Sequence, residues 1–442
     1  MRPLSAGALA GPEATAAPRA PWLAMVLMLA LIVALQFGPL IGLLGFLATD
    51  DPVWALGGAS RDALVLALLA LALAARAGAA AAPPLPVSAR WAVALVLVVA
   101  LLAALSDSGL FVVALNLRRL ALVPLLYLAV LAVPWTAAQA DRLLSAIVLS
   151  CAAVAVVGVA ERLAPDTFWT DVLRIEAYTA ANGFDKFGTQ PYAQSGRFFS
   201  SDLLAWTGEP VRRLVSSYLE PTTLGAAMAA LLALALARQA RGHRAGVLVA
   251  LAVVAGVATL SKGFWLFLVM LLLWRTVGVP SPRQLLAMAA VGCMLAWATA
   301  ALQLEGPLVH VGGLTTGLQH LVAGNWLGEG VGGAGNYTND ALEVGDESGL
   351  GNAIAQVGLA ALLPLLWVAA IARDVLATGA QRRDPGAPWL AAWLMFWMLS
   401  FLFSASSLGV GGNALGFAAL ALYLHPASAP LRRAPGVRRA AA

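Results

Sequence analysis

Apolar residues run through this chain in long unbroken stretches, such as Ala24 to Leu35, Leu64 to Ala75 and Leu266 to Trp274, divided by short polar or charged clusters. None of these stretches alternates apolar with polar positions, as a barrel strand would, and in hydrocarbon only a helix otherwise satisfies its own backbone. The pattern predicts about twelve transmembrane helices, near residues 22–48, 58–75, 91–106, 118–134, 143–160, 219–237, 245–260, 263–278, 285–303, 349–372, 388–404 and 408–425. The expected fold class is an all-α polytopic membrane protein. The first stretch is too long and lacks the small-residue cleavage site of a secretory leader, so it reads as the first span.

Two polar interruptions, about residues 161–218 and 304–348, exceed ordinary connections and contain aromatics, glycines and charges instead of a linker composition. Both should be ordered, partly helical loops that cap the bundle on one side. The organisation expected is a short tail over 1–21, a single transmembrane domain over 22–425 and a basic tail over 426–442.

Composition agrees with a bilayer as solvent: of 442 residues 61% are hydrophobic and only 11% charged. The formal charge of +5 does not point to nucleic acid, because the cations are scattered between apolar runs. Topology accounts for them better. With the N-terminus inside, 17 of the 27 cations and only Glu13, Asp141, Asp374 and Asp384 among the 22 acids fall on the cytoplasmic side. Both termini are therefore expected in the cytoplasm, with the two large loops outside. Charges within spans are scarce, and Arg61, Asp62, Arg118, Arg119, Glu220 and Lys262 are all expected near outer helix ends.

The chemistry-bearing motifs are sparse. Cys151 and Cys293, the only cysteines, lie inside apolar runs and offer neither a disulfide framework nor a metal site. The stretch Gly328 to Gly333 spells GxGxxG, yet it follows no strand, so a dinucleotide is not expected; its glycines instead allow a tight turn. There is no HExxH, DxD, GxSxG or Cys/His cluster, so any enzyme here would work without a metal site or cofactor of the usual kinds.

Three segments remain. Arg213 precedes Pro221 by eight residues, after a second arginine at 212. Lys262, one of two lysines in an arginine-dominated chain, follows Ser261 and precedes Gly263. His310 and His320 lie in the second loop, which ends in Glu347 and Ser348 before an apolar run and contains six acids but no Lys or Arg. Ordinary roles exist for each: headgroup anchoring for the cations and solvated surface for a loop histidine, the reading kept for His320.

In their order and spacing these segments resemble the superfamily of bacterial O-antigen polymerases and O-antigen ligases, over roughly residues 60–425 and most specifically between Arg213 and Ser348. The resemblance implies a lipid-linked glycan transferase of GT-C-like architecture in the bacterial inner membrane, with its active site facing the periplasm. Its donor and acceptor would be polyprenyl-diphosphate-linked oligosaccharides, and a flippase and a chain-length regulator would be its partners. It further implies that Arg213 and Lys262 hold the diphosphate, that His310 is the general base on the acceptor, and that Arg212 and Glu347 support them. Lysine at 262 departs from the arginine usual there; it keeps the charge and loses the planar fork.

Such chemistry needs no metal. Cleavage of a glycosyl diphosphate places charge on the leaving oxygens, where a well-placed donor contributes about 3–4 kcal/mol, and a base on the acceptor hydroxyl adds about a hundred- to ten-thousandfold in rate. Polymerisation of repeat units is the leading expectation, ligation to lipid A core or a protein the second, and transport of lipid-linked sugars a third.

Overall fold

The computed structural model describes residues 20–51, 58–77, 85–181, 198–200, 207–277, 305–333, 348–404, 407 and 409–426. It is 82% helical. Helix occupies eleven of the twelve expected stretches, and the remaining one, 285–303, lies outside the described residues. Among the described residues six helical stretches are long and apolar enough to cross a membrane, the last of them, Gly349–Arg382, counted across the turn at Gly358.

The helices are α1 (Ala20–Thr49), α2 (Gly58–Ala77), α3 (Val87–Ala104), α4 (Leu110–Ala132), α5 (Ala137–Leu163), α6 (Ile175–Ala181), α7 (Pro221–Ala240), α8 (Gly246–Ala258), α9 (Lys262–Val277), α10 (Glu305–Val322), α11 (Gly349–Val357), α12 (Leu363–Arg382), α13 (Ala387–Phe403) and α14 (Val410–Leu424). Their ends sort into two groups. At one end, called proximal, Arg241 after α7 and Asp384 between α12 and α13 meet Tyr423 of α14. At the other, distal end, the close of α5 meets the segment before α7, and the close of α13 meets the start of α11.

At the centre stands α14, packed against α1, α4, α5, α7 and α12 and buried at nearly every residue. Its Phe417 ring touches three tryptophans, stacking on Trp367 at 4.8 Å and meeting Trp393 and Trp397 edge-on at 5.1 and 5.6 Å. Offset and edge-on ring pairs of this kind each add about 0.5–1.5 kcal/mol beyond their buried area. Nearer the distal end, Pro39 removes a rung from the α1 ladder. Around that break the carbonyls of Gln36 and Pro39 accept the hydroxyls of Ser217 (2.6 Å) and Tyr178 (3.3 Å).

Two expectations are corrected here. The stretch 349–372 is not one helix: Gly358, at φ +58°, ends α11, and a short 3₁₀ turn leads into α12. The break escapes a hydropathy reading because residues on both sides of it are apolar. Fully buried α11 runs across the distal end, from a bond between Ser348 Oγ and the Leu402 carbonyl (2.6 Å) to the loop at Gly330, whose N–H reaches the Gln356 carbonyl (3.1 Å). Secondly, α4 begins at Leu110, so Arg118 and Arg119 stand two turns inside it and not near its end.

The second loop folds back on this crossing helix. A side chain at Gly351 would meet the Gly313 carbonyl oxygen at 2.1 Å, and one at Gly317 would meet Gly351 Cα at 2.6 Å, so α10 and α11 touch backbone to backbone. Gly328, Gly330 and Gly332 all have positive φ, and a Cβ at Gly328 would lie 2.5 Å from Gln356. The GxGxxG stretch is thus a packing turn against α11. Gly351→Val is expected to undock α10, since overpacking at such a contact costs about 1–3 kcal/mol or more. Limited proteolysis should then cut within 305–333 while the wild type stays intact there.

Candidate functional site

The distal end is assembled around the extended segment that precedes α7. Two residues, Val211 and Arg212 (β2), pair antiparallel with Phe199 and Ser200 (β1), and the Arg213 N–H adds a bond to the Phe198 carbonyl at 2.7 Å. Side chains alternate sides along an extended chain, so the neighbouring arginines part company.

Arg212 turns inward and is almost fully buried. Its Nη2 donates to the carbonyls of Glu161 (3.2 Å), Arg162 (2.9 Å) and Ala164 (2.7 Å), and Nη1 to Asp166. These carbonyls close α5, where the helical ladder runs out of donors; the Glu161 carbonyl also accepts the N–H of the cap residue Ala164 (3.0 Å). Arg212 therefore caps α5 and holds the strand in place.

Arg213 faces the turn between α8 and α9. Its Nε donates to the Thr259 carbonyl (3.0 Å), and the next residue, Leu214, sends its N–H to the Ala258 carbonyl (3.0 Å). That turn is tightly built. Leu260 takes a left-handed conformation (φ +50°), the Thr259 hydroxyl accepts the Ser261 N–H (3.1 Å), and Gly256 leaves room for the Phe264 ring, which would lie 2.2 Å from a Cβ there. The turn places Lys262, exposed, at the first residue of α9. The structure thus brings Arg213 and Lys262 to one place, the first bonded to a residue three positions from the second.

Sequence reasoning missed what fixes this segment from behind. Glu161, at the end of α5, accepts the N–H groups of Val215 and Ser216, both at 3.2 Å. Ser216 Oγ donates to the Val154 carbonyl (2.6 Å), and Tyr218 donates to Gln36 Oε1, while Gln36 Nε2 donates to Cys151 Sγ (2.8 Å). Burial pushes the Tyr218 phenol well above its ordinary range, so it remains a neutral donor. Pro221 then opens α7 at its first turn, and the hydroxyls of Thr222 and Thr223 donate to the Glu220 carboxylate (2.8 and 2.6 Å). A signal for Glu161 was present: it is a lone acid closing an apolar run, the kind of group that seeks backbone donors.

The second loop approaches the same end. His310 belongs to the first half of α10, and its side chain lies outside the described residues, as does the whole of Glu347. Ser348 is the N-cap of α11, accepting the Gly351 N–H at 2.9 Å. Between α10–α11 and Lys262 stands α13: it touches α10 and α11, and its Phe396 meets Phe267 of α9 at 4.9 Å. His320, expected to be solvated, faces Glu329 with Nδ1 3.3 Å from Oε1.

Fold and site together define an all-α membrane protein with two cations, from segments far apart in sequence, gathered at one end of its bundle. No protein-family model matches the chain, and no curated protein does.

Proposed function

We propose that the chain is a glycosyltransferase that polymerises polyprenyl-diphosphate-linked oligosaccharide repeat units, acting at the periplasmic face of a bacterial inner membrane. The bond from Arg213 Nε to the Thr259 carbonyl carries this reading, because it draws the cation of the first loop onto the turn that bears Lys262. A lysine at the first residue of a helix opposes the helix dipole unless an anion joins it there. Two cations and a helix N-terminus suit a diphosphate whose polyprenyl tail lies along the bundle.

In the reaction, the acceptor hydroxyl oxygen attacks the anomeric carbon of the donor sugar. The bond from that carbon to the diphosphate breaks, its electron pair leaves with the diphosphate, and the hydroxyl proton passes to the His310 imidazole. Arg213 and Lys262 take up the charge that develops on the leaving oxygens. One displacement inverts the anomeric centre.

The test is the glycan profile of cells carrying Arg213→Ala. Accumulation of single lipid-linked repeats is the result expected. Long unligated glycan would make the chain a ligase, and repeats held at the cytoplasmic face would make it a flippase. A wild-type profile would remove Arg213 from the chemistry altogether.

A further inference from the structure

A second group of cations, which glycan transfer does not use, lies where α2 packs on α4. Arg61 occupies the first turn of α2, and Arg118 stands eight residues into α4, about 12 Å along its axis at 1.5 Å per residue. Asp62 is the acid between them, and it is committed: Arg118 Nε lies 2.9 Å from one of its oxygens and 2.8 Å from the other.

Arg61 has no such partner. Its Nε is buried without a hydrogen bond, and no carboxylate among the described residues lies within ion-pairing distance of it. The groups that bear on its charge are Arg118, Asp62, Tyr218 and Tyr178. Both phenols are engaged elsewhere, Tyr218 with Gln36 Oε1 and Tyr178 with the Pro39 carbonyl. Across from it on α1 lies Gly38, where a Cβ would stand 4.0 Å from Arg61 Cδ. One carboxylate thus serves Arg118 alone, leaving the Arg61 guanidinium without an ion-pair partner among the described residues, an arrangement that costs several kcal/mol when buried unless an anion completes it.

The apolar surface beside this corner indicates which anion. One turn below Asp62, Leu66 is exposed, and two turns further on so is Leu73, both on α2. We propose that the α2–α4 corner binds the phosphate of a membrane lipid, with Arg61 and Arg118 on the phosphate oxygens and the lipid tail along Leu66 and Leu73. Guanidinium groups suit this task because their planar donors match phosphate oxygens in pairs, and basic pockets between membrane helices bind lipid headgroups in this way. The phosphate is an ester carried by a long apolar tail, of a phospholipid or of a polyprenyl carrier. This site stands whether or not the chain transfers glycans.

Native mass spectrometry of the full chain in micelles tests it, with phosphatidylglycerol, polyprenyl phosphate or inorganic phosphate titrated separately. Wild type should retain at least one of the two lipids but not inorganic phosphate, and the better-retained lipid names the source. Arg61→Gln should weaken that binding about tenfold, the loss of one charge-assisted contact. Asp62→Asn should tighten it, because Arg118 is then released to the phosphate, and Arg76→Gln at the far end of α2 should change nothing. Should Arg61→Gln fail to fold, Asp62→Asn and Arg61→Lys decide instead, the latter keeping measurable binding. Retention of neither lipid, equal binding by wild type and Arg61→Gln, or weaker binding in Asp62→Asn would overturn the proposal.

Discussion

Arg213→Ala in the purified protein is expected to slow the proposed glycan transfer by about a hundred- to a thousandfold, the usual cost of deleting one donor to a developing oxyanion. The Nε bond to the Thr259 carbonyl fixes the plane of the guanidinium, so its position does not have to be found anew in each turnover. Arg213→Lys keeps the charge while losing both the fork and the Thr259 anchor, and should recover only part of the rate. Single-turnover assays with a lipid-linked repeat as donor would show this. A rate within a factor of a few of wild type in Arg213→Ala, with unaltered thermal stability, would exclude a role in charge stabilisation.

The largest effect on stability is expected at the opposite end of the bundle. Arg241 donates through Nε and Nη2 to the two Asp384 oxygens at 2.8 and 2.7 Å, and both side chains are buried, 6% and 10% exposed. Tyr423 OH (2.8 Å) and the Gly386 N–H (2.9 Å) complete the carboxylate, and the Tyr423 ring carries the Arg241 guanidinium at 5.5 Å. Asp384→Ala would strand Arg241, which costs about 3–5 kcal/mol for a buried pair, and should lower the apparent Tm in lipid nanodiscs markedly. Burial alone would raise the Asp384 carboxyl; the hydrogen bonds and charge of Arg241, with the Gly386 and Tyr423 donors, outweigh it and hold the group below its ordinary value. A depressed carboxyl stabilises the fold fully above the unfolded value of about 4 and loses that contribution as pH falls through the folded one. Asp384→Asn should therefore flatten the acid limb of the stability profile. A limb as steep as that of wild type would show that other carboxylates govern it.

Most helices were legible because an apolar run long enough to cross a bilayer announces itself, and α1, α7 and α13 fall within a few residues of their expected bounds. Depth was less legible. The run from Leu110 to Leu117 contains Asn116, which shortened the apparent span and moved Arg118 to its edge. The break at Gly358 was hidden because hydropathy records apolarity and not direction. Of the candidate site, the residue types were readable but their meeting was not, since the contact between Arg213 and Thr259 joins positions 46 apart. The division of labour between Arg212 and Arg213 could have been foreseen from alternation, had the two-residue strand been recognised. Thr259 acts through its backbone carbonyl, which leaves no mark on a sequence, and the Glu161 carboxylate binds backbone N–H groups that no motif announces.

Because α14 leaves the ribosome after each of the helices it packs against, α1, α4, α5, α7 and α12, and is itself buried at nearly every residue, this part of the protein is built from its rim toward its middle. The partners that will surround Phe417 must be threaded into the bilayer beforehand and wait there with their inner faces unmatched. A nascent chain halted before Val410 would then be a ring lacking its hub, open to capture by chaperones or proteases that survey unfinished membrane proteins.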